Sequence, residues 1–505
     1  MPGVPASDRD LLQLIATAAL ANPFGNERDE VDEILAATAG QRLSREERIV
    51  RVVARAEAIF ARLRARGVDP TSFNGDDRDL FDAAALFVVF HRYIERFDAF
   101  IRDQLVAGAH SLPLPFAREL LADLVSVGFS GSEAPRFVAV LFQMRRAFYF
   151  LDTTLAGTSP SMRRLRARLW QNIFTADLLR YVRVMWQRME DFSTLLLGET
   201  GSGKGAAAAA IGRSAFIPFD PRERRFAVSF TESFLPINLS QYPDALLESE
   251  LFGHKRGAFT GALETHLGVF ARGSPHGAIF LDEIGETSTP TQIKLLRVLQ
   301  ERTFSPVGMH ETVRFEGRVI AATHRALGRR SRRRQAGFRD DFYYRLSSDV
   351  VELPSLRQRL AEDPGELDLL LSVIVRRIVG ADQLPVVDEA RTVIEKTLDR
   401  AYAWPGNVRE LEQCVRRVLL RGSYEGEVTV ARAGGKTSEA RSRHGQLLDL
   451  TDGGTLDASA LLARYCAALH LELGTYEQVA RRTGLDRRTV KKYIERAAAT
   501  ERSAQ

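Results

Sequence analysis

Several short stretches of this sequence hold residue types whose spacing could do phosphate chemistry. Residues 193–212, STLLLGETGSGKGAAAAAIG, set an apolar strand before a glycine-rich turn and an alanine-rich helix, and Gly198, Gly203 and Lys204 fit the pattern G-x-x-x-x-G-K. Across Glu199, Thr200, Gly201 and Ser202 the glycines let successive backbone N–H groups wrap a phosphate. The helix start adds positive potential, and Lys204 can reach the β and γ oxygens. Gly205 stands where the pattern usually has Ser or Thr, which removes one expected Mg2+ ligand. A glycine-rich turn before a helix is also common as plain structure, so the nucleotide reading needs company.

Further along, GAIFLDEIGE places Asp282 and Glu283 at the end of an apolar strand. Asp282 there can hold Mg2+, directly or through water, and Glu283 can polarise an attacking water. An acidic pair at a strand end is more often solvated turn chemistry; the phosphate turn upstream reverses that judgement. The apolar strand RVIAATH ends at Thr323 and His324, where polar groups could sense a γ-phosphate. FRDDFYYRL supplies Arg339 and Arg345, and WPGNVREL supplies Arg409. A guanidinium suits a transferring phosphoryl group because it is always charged and can bond two oxygens, although any single Arg is more often a surface ion pair.

These groups need a parallel α/β scaffold to bring them together. From Phe192 short apolar strands alternate with helices, as in such a sheet, and residues 356–422 return to helix. Before that, stretches such as DLFDAAALFVVFHRYIERFDAFI carry apolar residues at three- and four-residue spacing, without strand alternation, so residues 1 to about 150 read as helical. A Gly/Ser/Arg-rich stretch, ARAGGKTSEARSRHGQ, reads as a linker before a last helical module. There TYEQVARRTGLDRRTVKKYIERA reads as helix-turn-helix. Val479 and Ala480 pack the first helix, Gly484 makes the turn, and Leu485, Val490 and Tyr493 anchor the second. Arg487, Arg488, Thr489, Lys491 and Lys492 could then face a DNA groove, the alternative being a helical hairpin with a solvated basic face.

The 505 residues, 45% hydrophobic and 27% charged, are those of an ordinary multidomain globular chain. Apolar runs fall short of a membrane span and the first residues lack a secretory pattern, which predicts a cytoplasmic protein with no membrane partner. Cys414 and Cys466 lack metal-ligand spacing and read as inert thiols, and His91 and His110 as structural histidines. The net charge of +5 permits a nucleic-acid partner without proving one.

From about Gly157 to Arg421 these motifs, with ESELFGHKRGAFTGA, IKLLRVLQERTFSPVG and LPSLRQR in the same order, resemble the AAA+ domain of the bacterial enhancer-binding proteins, the activators of sigma-54 RNA polymerase. The resemblance implies a multidomain fold: residues 1–156 a helical regulatory domain, 157–355 an α/β P-loop ATPase core, 356–425 its helical lid, 426–455 a linker and 456–505 an all-α helix-turn-helix. It implies ATP and Mg2+ as cofactors, a homo-oligomeric ring, usually a hexamer, and as partners sigma-54 polymerase holoenzyme and double-stranded DNA. By position Lys204 binds phosphate, Asp282 organises Mg2+, Glu283 activates water and Thr323 and Arg409 are sensors. Arg339 and Arg345 reach a neighbour's site, and Asn238 holds Glu283 until the ring engages. Gly257, Ala258, Phe259, Thr260, Gly261 and Ala262 form the loop that touches sigma-54. A glycine-flanked Phe more commonly folds back into a core, so this loop has two readings.

Two rival functions stay open: a DNA-bound ATP-binding switch without turnover, suggested by Gly205 and His324, and a different AAA+ remodeller. Residues 163–190 look like an inserted helix, and 213–235 look longer than the family's link. The basic run GRRSRRRQAG, residues 328–337, reads as a solvated loop, with a contact to DNA phosphates as the alternative.

Overall fold

The computed structural model describes residues 6–36, 43–67, 73–325, 327, 333, 337–381, 383–399, 402–424 and 457–502. They divide into two compact units: Met1–Val393 with Asp399–Gly422, and Ile394–Leu398 with Ser423–Gln505. The linker predicted at 426–455 lies outside the described residues.

Helices come first: α1 (Ala6–Leu20), α2 (Asn26–Ala36), α3 (Arg45–Ala65), α4 (Gly75–Ala107), α5 (Ala117–Ser126), α6 (Ala134–Thr154) and α7 (Pro160–Phe174). Local chemistry fixes their ends. At α3 the Ser44 hydroxyl accepts from the Glu47 amide at 3.2 Å while the Glu47 carboxylate accepts from the Ser44 amide at 2.8 Å, which satisfies two donors that a helix start leaves open. A single turn, α8 (Leu178–Arg180), leads to β1 (Thr194–Leu197), α9 (Lys204–Gly212), a small hairpin of β2 (Phe219–Asp220) and β3 (Arg225–Phe226), and β4 (Phe234–Asn238). Then follow α10 (Asp244–Phe252), α11 (Val269–Arg272), β5 (Ala278–Asp282), α12 (Thr289–Glu301), β6 (Thr303–Phe304), β7 (Val313–Arg314), β8 (Arg318–Thr323), α13 (Asp340–Leu346) and β9 (Asp349–Glu352). The lid is α14 (Leu356–Glu362), α15 (Glu366–Val379), α16 (Leu384–Thr397) and α17 (Asn407–Arg421), and the chain closes with α18 (Ala458–Leu473), α19 (Tyr476–Thr483) and α20 (Arg487–Arg502).

The main sheet runs β4-β5-β8-β1-β9, every pair parallel. Its strands are apolar almost throughout because both faces are covered. Leu195, Ile279, Leu281, Val319 and Ala321 face one core with α10, α11, α12 and α13. Leu196, Phe280, Ile320 and Ala322 face another, which continues without a break into α1 to α7.

That continuity departs from a boundary at residue 156, and its cause lies in the segment that looked overlong. The β2–β3 hairpin reaches into the N-terminal helices: Phe226 stacks on Phe142 at 4.4 Å, Phe230 meets Phe150 edge-on at 5.5 Å, and the Leu114 amide donates to Arg224 O at 2.7 Å. Arg146, fully buried on α6, donates to the carbonyls of Arg213 and Ala215 at 2.7 and 2.8 Å, and Gln143 donates to that of Ser214 at 2.9 Å. Burial lowers the Arg146 guanidinium to about 9, and the free carbonyls at the end of α9 are its compensation. The helix suspected as an insertion is α7. Its Asn172 amide donates to Thr194 Oγ1 at 3.0 Å and to Asp349 at 2.7 Å, which ties it to β1 and β9.

Phe142→Ala is expected to cost about 3–5 kcal/mol of stability, the usual range for truncating a buried Phe, by denaturant unfolding of the whole chain. A loss below about 1 kcal/mol would mean that the ring stack does not join helices to hairpin.

Candidate functional site

The parallel register collects the expected residues at one edge. Asn238 lies opposite Asp282, and Leu197, the residue before the glycine turn, lies opposite Thr323. In open α/β sheets this carboxyl edge is where ligands sit. Gly201 and Gly203 take φ of 76° and 102°, which makes the turn after β1 possible. Lys204 is buried, and its Nζ donates to Gly198 O at 2.9 Å and Glu199 O at 3.1 Å. Burial lowers its pKa, while the charges of Glu283 and Asp282 oppose that shift. The Ser202 hydroxyl is buried with no protein partner, an orphan donor that a phosphate oxygen would satisfy. A Cβ on Gly205 would meet nothing nearer than Phe280 at 4.0 Å, so the missing hydroxyl is not a matter of space.

Asp282 is half-buried and its pKa is raised, by burial first and then by the charge of Glu283, with Lys204 and Arg409 pulling the other way. A carboxylate pushed towards neutrality in this way gains from a cation, so the donor set fits Mg2+. Among the described residues no group of three or more His, Cys, Asp or Glu side chains could hold a metal by itself. Nucleotide oxygens would therefore have to complete the shell. Thr323 is fully buried with its Oγ1 accepting from the Arg325 amide at 3.1 Å, and Gly285 lies so close that a Cβ there would stand 2.5 Å from that oxygen.

Around the sheet three side chains depart from the sequence reading, and two others do so elsewhere in the chain. Glu283, in the left-handed region at φ 55°, is held by His324, Nδ1 to Oε2 at 2.8 Å, and not by Asn238. The Asn238 Oδ1 accepts instead from the Ser240 amide at 3.0 Å and hydroxyl at 2.8 Å, because the chain turns there into a short 3-10 helix that needs a cap. Arg345 spends two donors on one carbonyl, Leu299 O at 3.0 and 2.8 Å, where the last turn of α12 has no further amides to donate to its carbonyls. Arg339 is different: exposed, it pairs bidentately with Asp341 at 3.0 and 2.6 Å, a contact that solvent makes cheap to break.

The lid seats on the phosphate turn through residues the sequence reading did not single out. Asn407, buried at φ 52°, donates to Glu199 Oε2 and Thr200 O, both at 3.1 Å, and accepts from the Leu356 amide at 2.7 Å. The Val408 amide donates to Gly201 O at 3.1 Å, and Arg357 forks onto Glu199. Arg409, two residues on in α17, is thereby brought close enough to influence both Lys204 and Asp282. The signal was present in WPGNVREL, whose Pro405-Gly406 pair lets Asn407 turn back.

The GAFTGA segment is a loop closed at its base. Gly257 and Gly261 take φ of 80° and 100°, the Gly257 amide donates to Ala262 O at 2.8 Å, and Ala262 is buried. Phe259 keeps 39% of its surface exposed, with one edge on the His254 ring at 4.9 Å, and Thr260 is exposed beside it. Leu263 and Leu267 add 80% and 64% exposure just downstream. A core turn would bury that ring; this loop presents it.

In the second unit Cys466, Leu469, Val479 and Val490 form a small core with Leu485 and Tyr493 against it, and Gly484 turns at φ 73°. Arg487, Arg488, Lys491 and Lys492 lie exposed along α20. Thr489 does not join them: its hydroxyl donates to Asp486 at 2.6 Å, which caps the helix. Of the basic run, residues 328–332 and 334–336 lie outside the described residues. Arg333 is buried, bonded to Asp340 at 3.0 Å and stacked on Tyr343 at 4.2 Å, so it belongs to the fold and not to a solvated loop. Both cysteines are buried, which raises their thiol pKa values, that of Cys414 to about 12. Among the described residues no helix is long and apolar enough to cross a membrane.

Gly201→Ala is expected to unseat the lid, because its Cβ would stand 2.1 Å from Gly406 O. Hydrogen exchange at the Val408 and Leu356 amides should accelerate at least ~10-fold. Gly203→Ala, equally left-handed but with open space around it, is the control for backbone strain alone. Equal protection in the Gly201 variant and wild type would refute the seat.

The Sigma-54 interaction domain matches residues 174–352. The Nif-specific regulatory protein of Azotobacter vinelandii is 39% identical over 284 residues, 56% of this chain and 47% of that protein. The transcriptional regulatory protein GlrR of Escherichia coli K12 is 36% identical over 346 residues, 65% of this chain and 72% of GlrR. This chain thus spans about half the length of the Nif-specific relative. Among solved structures, NtrX from Brucella abortus covers 75% of this chain and is itself covered to 80%, at 19% identity and a TM-score of 0.39.

Proposed function

Since the chain belongs to the sigma-54-dependent enhancer-binding activator family, we propose that it is an ATP-driven transcriptional activator. It would assemble as a ring, bind double-stranded DNA through residues 456–505 and act on sigma-54 polymerase through the loop Gly257–Ala262. The observation that carries this reading is the exposed Phe259–Thr260 tip between two left-handed glycines, in the same compact unit as the phosphate turn.

Each residue then has a role its surroundings support. Lys204, the orphan Ser202 hydroxyl and the turn amides would grip the phosphates of ATP, and Asp282 would hold Mg2+, which when bound supplies charge neutralisation to the phosphates. Glu283 takes the proton of the attacking water. To do so it must leave His324, so the imidazole does here the holding that the resemblance assigned to Asn238. Thr323 and Arg409 read the γ-phosphate from the sheet edge and the lid. Arg339 is the arginine offered to a neighbouring subunit, while Arg345 secures α12 within its own. Residues 1–156 serve as the regulatory region, 157–355 and 356–425 as ATPase core and lid, and 426–455 as linker, in a cytoplasmic protein. A second reading, an ATP-bound switch with slow turnover, is favoured by the His324–Glu283 contact alone.

Thr260→Val should leave ATP turnover intact and abolish binding to sigma-54 holoenzyme trapped with a transition-state analogue of ATP, and open-complex formation with it. Loss of turnover and of melting temperature together in that variant would instead restore the core-turn reading. Turnover itself is tested by mixing: Arg339→Ala and Lys204→Ala subunits, each inactive alone, should regain ATPase together, because a trans arginine can contribute ~10³ or more in rate. No regain, with wild type active at every dilution, would refute the shared site, and an inactive wild type would favour the switch.

A further inference from the structure

A large cavity lies in the helical region and has no part in the site above. Partly open to solvent, it holds about 1250 Å3 among α1, α2, α3, α4, α6, α7 and α8, a size that admits a small organic molecule. Protein interiors are packed with few voids larger than a water, yet here Val53, Leu86, Phe90, Met144, Phe148 and Val182 stay partly exposed towards one another's shared space. Such a surface costs free energy in water and is relieved by an apolar occupant.

The charges around this space argue for a neutral one. Arg28 pairs with Asp32, Arg92 with Glu57, Arg145 with Asp98 and Arg183 with Asp79. Arg96 pairs likewise with Glu119, so five of the six lining guanidiniums have a carboxylate, while the sixth, Arg136, lies over the Phe137 ring at 4.9 Å. An ionic ligand would find most of the charge here already matched and would pay desolvation. Aromatic rings at Phe87, Phe90, Phe148 and Trp170 offer flat apolar contact.

We infer that this cavity is a binding site for a neutral, apolar small molecule, and that its occupancy is felt at the phosphate turn through α6. That helix has two working faces. Leu141, Met144 and Phe148 line the cavity, whereas Gln143 and Arg146 grip the carbonyls at the end of α9, the helix that begins with Lys204. An occupant that shifts α6 shifts the far end of the phosphate-binding helix. The coupling, though not the cavity, rests on the nucleotide reading of the turn.

The test uses the full chain and N-phenyl-1-naphthylamine, a neutral apolar fluorophore. Saturable binding is expected, with the anionic 1-anilinonaphthalene-8-sulfonate at least ~10-fold weaker. Met144→Phe and Leu86→Phe, which fill the space, should each weaken the neutral probe at least ~10-fold without loss of melting temperature. Absence of saturable binding, or wild-type affinity in both folded variants, overturns the site; equal affinity for the anion overturns its neutrality. The probe should also change the affinity for a fluorescent ADP analogue. An unchanged affinity overturns the coupling, whereas a chain that binds no ADP at all defeats the nucleotide reading and leaves the probe titration to decide the cavity.

Discussion

A helix of nine residues, seven of them glycine or alanine beside one lysine and one isoleucine, cannot hold itself in place. Isolated helices of that length are marginal in water, and α9 has little side chain with which to pack. Everything at the sheet edge depends on where this helix points its first turn. It is fixed from outside at both ends: the lid grips the turn before it through Asn407 and Val408, and α6 caps the carbonyls after it through Gln143 and Arg146. The alanines are what let both sheet and helices come close.

The α/β core was legible because each motif carries its own backbone requirement. A glycine turn after an apolar strand, and carboxylates or Thr at the ends of others, can only be used together if the strands are parallel, and the register bears that geometry out at Asp282 and Thr323. The helical character of residues 1–150 was equally plain from periodicity. What the sequence could not reveal was attachment. Nothing in the residues around Phe142 or Phe226 says that these two rings stack, since each alone is an ordinary core aromatic. Long-range pairs such as Glu199 with Arg357 and Asn407 were hidden for the same reason: a single polar residue does not name its partner.

Local competition explains the side chains that departed from expectation. Asn238 starts a 3-10 turn and accepts from the Ser240 amide, and Thr489 gives its hydroxyl to Asp486, the residue that caps its helix; in both a neighbour in sequence is a partner available at no cost in chain ordering. Arg345 likewise answers an unsatisfied helix end. Such demands act on the fold whether or not a ligand or neighbour is present, so a residue matched by position to a shared role can be diverted by the turn it happens to sit in.

The hairpin between α9 and β4 sets what can be exchanged in this lineage. Cutting the gene at the codon for Gly157 and moving the upstream helices without the hairpin would strand Phe142 and Phe150 without Phe226 and Phe230. The inheritable module is therefore discontinuous: helices at the start of the chain and a dozen residues in the middle of the α/β region have to travel together.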